Sequence, residues 1–345
     1  MSSNTAKAIT AKARAMYAKR LTARDYEELL NKKSIGELVT YLKNETAYSE
    51  TLSVLQDNHV RREQLEALLH QDIYKKLGKL IRYTTLKERQ FYLLGLMESE
   101  VNLLMLKVRM LNMEDSSSLH LEIPEYLKKY ADFDLYGLLN VNTYDELLKL
   151  IRHSHYYPIF KEFTPEEGER INYDEISRAL NKQNYDDYIA TVNKLFRGKT
   201  RKELLTIVHT NAELKNITKI YRLKRFFKAT PEEIRNSIYL VNERIPKKLM
   251  NEMIECDNAD DVLRILSESS YNVYIDTHEF VFIEYHVSNI SYNLSKRYMH
   301  FSSDPALVYT TYRYMQSMEI DNLLHIIEGL RYGQSPAAIR EILIY

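Results

Sequence analysis

The sequence predicts an all-α protein built of three similar helical-bundle domains, and three observations carry that prediction. Turn formers are scarce, with eight glycines and seven prolines in 345 residues, too few for the many hairpins of a β protein. Residues that cap helices recur along the whole chain. One pattern of cap, short helix and long helix returns three times.

Single cores rarely grow past about 250–300 residues, so a chain of this length is expected to hold two or three packing units. Apolar residues make up 45% and charged residues 28%, enough to bury a core and wet a surface. Lysine plus arginine equals aspartate plus glutamate, 48 each. A general nucleic-acid binder needs a basic excess to displace counterions from phosphates, and none is present. Cys256 is the single cysteine, which rules out a disulfide within the chain and suits a reducing compartment. The longest apolar runs, Phe91–Met97 and Phe280–Ile283, fall far short of the ~18 residues that span a bilayer, so any membrane role is expected to be peripheral.

At the N-terminus, Lys7, Lys12, Arg14, Lys19, Arg20 and Arg24 stand with no acid among the first 24 residues. Such a segment resembles a transit peptide. Ile9, Ala13, Met16, Tyr17 and Leu21 share one helical face, however, and a helix is the preferred reading. Later helix starts are marked by Thr164-Pro165-Glu166-Glu167, Thr230-Pro231-Glu232-Glu233, Asp304-Pro305 and Ser335-Pro336. In each a capping side chain precedes proline at the first helical position. Glu114-Asp115-Ser116-Ser117-Ser118 reads as a linker.

The repeat begins with three capping sequences, Ser34-Ile35-Gly36-Glu37, Thr143-Tyr144-Asp145-Glu146 and Asn258-Ala259-Asp260-Asp261. Apolar residues follow each cap at offsets of four, seven and eight: Leu38, Tyr41 and Leu42; Leu147, Leu150 and Ile151; Val262, Ile265 and Leu266. That spacing makes one helical face. A tyrosine closes each short helix (Tyr48, Tyr157, Tyr271), and Leu30, Leu139 and Ile254 stand four residues before the caps. Long amphipathic stretches are expected near 60–80, 171–196 and 278–298. Final helices then carry Asn102, Asn216 and Asn322, with apolar residues one and four positions later. The caps are 109 and 115 residues apart and the asparagines 114 and 106, far longer than a solenoid repeat. The expected domains are residues 1–115, 116–229 and 230–345.

No motif for chemistry survives inspection. Gly198-Lys199-Thr200 ends like a phosphate loop, but Asn193 occupies the place of the required upstream glycine, so a loop between two helices is expected. His153 and His155 lie two apart and cannot share a helical face; they read as a solvated loop pair and not as metal ligands. His278-Glu279 lacks the second histidine of a zinc helix, and no GxSxG elbow occurs. Glu166/Glu167 and Asp260/Asp261 fall at expected helix starts, where capping accounts for them. Lys215, Lys219, Arg222, Lys224, Arg225 and Lys228 surround Tyr221 and read as a solvated basic face, with an acidic partner surface as the alternative. No catalytic, cofactor or metal residue is assigned. The 28 tyrosines add weight to an interaction protein.

Two segments carry a family resemblance. Leu21-Thr22-Ala23-Arg24-Asp25-Tyr26, with Leu29-Leu30, Ser34, Glu37-Leu38, Tyr41-Leu42 and Tyr48, resembles the opening of the C subunit of V/A-type rotary ATPases, the counterpart of the eukaryotic d subunit (the AC39 family). Asn322-Leu323-Leu324, Ile326-Ile327, Gly329, Ser335-Pro336, Ile339-Arg340-Glu341 and Leu343 resemble its end. The resemblance covers the whole chain in length and threefold repeat. It implies a funnel of three helical domains in pseudo-threefold arrangement at the cytoplasmic face of a membrane. One side of the funnel would sit on the proteolipid (c/K) ring and its opening would receive the D and F subunits of the central stalk. It further implies a non-catalytic role in torque transmission for ATP-linked proton or sodium transport, with no nucleotide or cofactor bound. A soluble helical scaffold unrelated to rotary ATPases is the alternative.

Overall fold

The computed structural model describes residues 3–55, 60, 62–85, 87–113, 121, 123, 127–128, 130–166, 168–238, 244–271 and 283–345. Every regular element among them is helical, and no helix among them is long and apolar enough to cross a membrane. The linker at Glu114–Ser118, Glu167, Phe280 and His278-Glu279 lie outside the described residues.

The helices are α1 (Ser3–Tyr17), α2 (Ala23–Leu30), α3 (Ile35–Glu45), α4 (Ser49–Leu52), α5 (Arg62–Ile81), α6 (Arg89–Leu111), α7 (Tyr144–Leu150), α8 (Tyr157–Glu162), α9 (Tyr173–Leu195), α10 (Gly198–Arg222), α11 (Pro231–Ser237), α12 (Lys247–Glu255), α13 (Ala259–Glu268), α14 (Ile283–Phe301), α15 (Pro305–Arg331) and α16 (Pro336–Arg340). A 3-10 turn covers Tyr136–Asn140, and a π-turn, Leu223–Phe227, extends α10.

The caps hold as the sequence places them. Ser34, Thr143 and Asn258 accept the backbone N–H of Glu37, Glu146 and Asp261 at 3.2, 3.2 and 2.9 Å. The returning bonds differ from a simple capping box. Glu37 and Glu146 accept N–H groups from Lys33 and Asn142, one residue ahead of each cap. Thr230, Asp304 and Ser335 cap α11, α15 and α16, each with proline at the first positions. Thr164 is different: it starts no helix. Its hydroxyl donates back to Lys161 O at 2.9 Å, and Glu169 N–H closes a turn on Glu166 O. Gly168-Glu169-Arg170 supplies no apolar face for a helix to bury, so α9 starts at Tyr173, capped by Asn172.

Packing divides the chain into two compact units, Met1–Lys76 with Arg197–Tyr345, and Leu77–Phe196. Within the first unit, α15 lies deep among neighbours, packed by α1, α14 and α16, while α10 is packed by α12, α13 and α14. The basic N-terminal segment is helical, and Ile9, Ala13, Tyr17 and Leu21 are buried. Arg14 donates to the carbonyls of Met299, His300 and Ser302, placing a cation on the orphan carbonyls that end α14. Within the second unit α6 packs on α9, and Phe91 meets Tyr92, Tyr188 and Phe196 edge-on.

Three expected positions move. Leu138, and not Leu139, points inward: Leu139 is 49% exposed. The 3-10 turn before α7 winds three residues per turn and shifts the inward position by one. Tyr156, and not Tyr157, is the fully buried closing tyrosine of the second repeat. Asn102 is exposed while Asn216 and Asn322 are buried. Gly198-Lys199-Thr200 forms the first turn of α10, so the loop between α9 and α10 shrinks to Phe196 and Arg197.

Candidate functional site: a tyrosine–glutamate clasp repeated three times

Each short-helix module ends in a fully buried tyrosine that donates to a buried glutamate on a long helix. Tyr48 Oη donates to Glu319 at 2.7 Å, Tyr156 Oη to Glu100 at 2.8 Å, and Tyr271 Oη to Glu213 at 2.7 Å. The glutamates sit on α15, α6 and α10. Two of them take further bonds from the chain just ahead of a helix. Glu319 accepts Leu21 N–H at 2.8 Å, immediately before the α2 cap Thr22, and Glu213 accepts Ile245 N–H at 3.1 Å, immediately before Pro246 and α12. The correspondence extends the repeat from sequence into hydrogen bonding.

The partners are offset by one repeat. Glu100, at the end of the first repeat, serves Tyr156 of the second; Glu213, of the second, serves Tyr271 of the third. Glu319, of the third, returns to Tyr48 of the first. Each tyrosine is therefore answered by a glutamate on a long helix outside its own short-helix stretch, and Glu319 supplies the acceptor for Tyr48.

The two segments carrying the family resemblance meet at that closure. Tyr26 stacks on Tyr345 with ring centroids 4.4 Å apart. Asn322 donates to Tyr26 Oη at 3.2 Å and exchanges two bonds with the Ile344 backbone, 2.6 and 3.0 Å. Arg340 grips Glu27 through Nε and Nη2 at 2.8 and 2.5 Å.

Burial sets the electrostatics. Desolvation pushes the Glu100 carboxyl up to about 7, against the stabilising Tyr156 hydroxyl, with Asp132 adding to the rise. Desolvation likewise raises Glu319, although Lys76, the Tyr48 hydroxyl and Leu21 N–H all favour its charge. The phenols of Tyr48, Tyr156 and Tyr271 are pushed well above their ordinary range, first by burial and then by the facing carboxylate. They stay protonated donors at physiological pH.

Of the remaining candidates, His153 is exposed, whereas His155 is held by Asp132, 2.7 Å from its Nδ1; the pair is not simply a solvated one. A groove of about 720 Å³ between α6 and α9 passes Leu93, Met97, Glu100, His155, Gln183 and Asp187. Among the described residues no cluster of three metal-ligating side chains occurs. The basic run is not a plain solvated face either, because Lys224 is buried and donates to the carbonyls of Ile254 and Cys256. The clasp glutamates escaped the sequence reading. An acid three residues before Asn216 and before Asn322 was the available signal.

Comparison with known proteins places these features in a family. The model for the ATP synthase (C/AC39) subunit matches residues 9–342. The C subunit of the A-type ATP synthase of Methanosarcina mazei is 27% identical over 240 residues, covering 68% of this chain and 62% of that protein. The same subunit of Methanosarcina acetivorans is 22% identical over 355 residues, with 99% of this chain and 93% of that protein covered. That of Methanosarcina barkeri is 26% identical over 219 residues, 61% of this chain and 57% of that protein.

Proposed function

The chain belongs to the ATP synthase (C/AC39) subunit family, and we propose that it is the non-catalytic adaptor joining the central stalk of a V/A-type rotary ATPase to its membrane ring. In this reading it sits peripherally at the cytoplasmic face, on the proteolipid ring, and receives the D and F subunits of the stalk. It passes torque between ATP turnover and proton or sodium movement.

The observation that carries the reading is the closed series of clasps. A torque carrier must resist shear between its modules, and close-packed helices deform little. A buried hydrogen bond from each closing tyrosine to a glutamate on a long helix ties the short helices to the long ones. The threefold division into residues 1–115, 116–229 and 230–345, with a funnel formed by the three, is part of the same proposal. The offset of the clasps supports a cyclic relation among the repeats. The matching names of the archaeal relatives support membership in an ATP synthase.

The test is affinity purification of the tagged chain from its native membranes in mild detergent, with mass spectrometry of what accompanies it. Recovery of stalk and proteolipid subunits, with no ATPase activity in the isolated chain, is expected. A chain found only in the soluble fraction, with neither partner, would leave the unrelated helical scaffold as the better reading.

A further inference from the structure

The three clasps are not equally filled. Glu319 and Glu213 each accept a backbone N–H besides their tyrosine, from Leu21 and from Ile245. Glu100 accepts only Tyr156 Oη, on Oε2, and its Oε1 has no donor among the described residues. Glu100 is nevertheless 3% exposed, and a buried carboxylate oxygen without a donor is costly. No cation answers it: burial and Asp132 raise the carboxyl, and the Tyr156 hydroxyl alone works against them.

Glu100 lines the groove between α6 and α9, all of whose lining residues belong to the unit Leu77–Phe196. Its volume of about 720 Å³ is that of a small-molecule site. At the Glu100 end the lining offers acceptors. Asp132 and Asp187 add negative charge, both acting on Tyr156 together with Glu100. Gln183 Oε1 and His155 Nε2 are buried without a partner. His155 Nδ1 lies 2.7 Å from Asp132, so in the neutral ring Nε2 is the acceptor. The cations of the groove stand further along. Arg89 precedes Glu100 by about three turns of α6, roughly 16 Å, and Lys194 follows Asp187 by about two turns of α9. Leu93, Met97 and Ala190 form the stretch between the two ends.

We propose that this groove binds a small organic ammonium, whose charged N–H group fills at Glu100 the place that a backbone N–H fills at Glu319 and Glu213, and whose apolar body lies on Leu93, Met97 and Ala190. Charge selects the class. Carboxylates converge where the donor is missing, and nothing cationic offsets them at Glu100. An ammonium–carboxylate bond held out of water is about twice as strong as a neutral one, whereas a neutral donor would leave the charge unanswered. The site lies within one unit of this chain and does not depend on the adaptor role.

The experiment titrates the purified full-length chain with 2-phenylethylammonium chloride by calorimetry, at pH 8, above the Glu100 value of about 7. The same-sized anion 3-phenylpropionate is the control, and a carbon-13 label on the methionine methyls reports the place of binding through Met97. One-to-one binding of the ammonium with a shift of the Met97 methyl, and none of the anion, is expected. Glu100→Gln keeps an acceptor for Tyr156 and should weaken binding roughly tenfold, the loss expected when a charged partner becomes neutral. Ala190→Phe narrows the groove from an exposed helix position and leaves the clasp untouched. It should weaken binding to a similar degree with an unchanged circular-dichroism melt, which keeps the test decisive if Glu100→Gln folds poorly. No saturable binding of the ammonium, equal binding of the anion, or an affinity unchanged by Ala190→Phe would each overturn the proposal. All three outcomes are read on the isolated chain and leave the adaptor role to its own test.

Discussion

A buried glutamate is stable in a helix only if something answers its carboxyl, and three tyrosines do so here. Replacing Tyr271 by Phe would leave Glu213 short of one donor; a loss of about 1–3 kcal/mol in urea unfolding is expected. Glu100 has a pH signature. Its carboxyl is raised from 4.5 to about 7 in the folded state, so the folded protein holds this proton where the unfolded chain has released it. Its contribution to stability is complete below pH 4.5 and is lost as the pH rises through about 7. Glu100→Gln keeps an acceptor for Tyr156 and removes the titration. The variant should show a flatter stability profile between pH 4.5 and 7 and should gain on wild type at pH 8, measured by denaturant midpoints. The tyrosines were readable because a large aromatic at the end of a short apolar helix has few explanations. Their partners were not, because one acid in a long helix reads like any solvated acid. Asn102 erred for a related reason. Counted from Glu100, it is Leu103 that matches Asn216 and Asn322, and one position on a helix is a rotation of about 100°.

At the scale of the element, caps were the most legible feature. Ser34, Thr143, Asn258, Thr230, Asp304 and Ser335 all make the bond their type suggests. Ser34→Ala, Thr143→Ala or Asn258→Ala should each cost about 1 kcal/mol in thermal or urea unfolding, with near-additive losses where the sites are far apart. Thr164 misled because its motif names a start without an apolar face to follow it. Packing between elements was less visible. Gly329 on α15 lies against Ile339 of α16, and a Cβ there would fall within the isoleucine side chain. Gly329→Ala should therefore destabilise by about 1–3 kcal/mol through overpacking, despite alanine's higher helix propensity. The combination Gly329→Ala with Ile339→Val should recover part of the loss.

For the whole molecule, the recurrence of caps along the chain was readable and the pairing of each buried tyrosine with a distant glutamate was not. Recurrence of caps is a local property of the sequence, whereas the pairing of a tyrosine with a distant glutamate is decided by long-range contacts. Glu319 and Tyr48 are 271 residues apart, and no local pattern joins them. In the adaptor role proposed for this member of the ATP synthase (C/AC39) subunit family, that bond ties the two ends of the chain together. The most direct measurement is ATP-driven ion uptake by membrane vesicles carrying the complex with this chain deleted, read alongside ATP hydrolysis and then repeated after adding the purified chain back. The adaptor account predicts hydrolysis without ion uptake in its absence and coupled uptake on its return. Unchanged, coupled ion uptake in vesicles without the chain would contradict it.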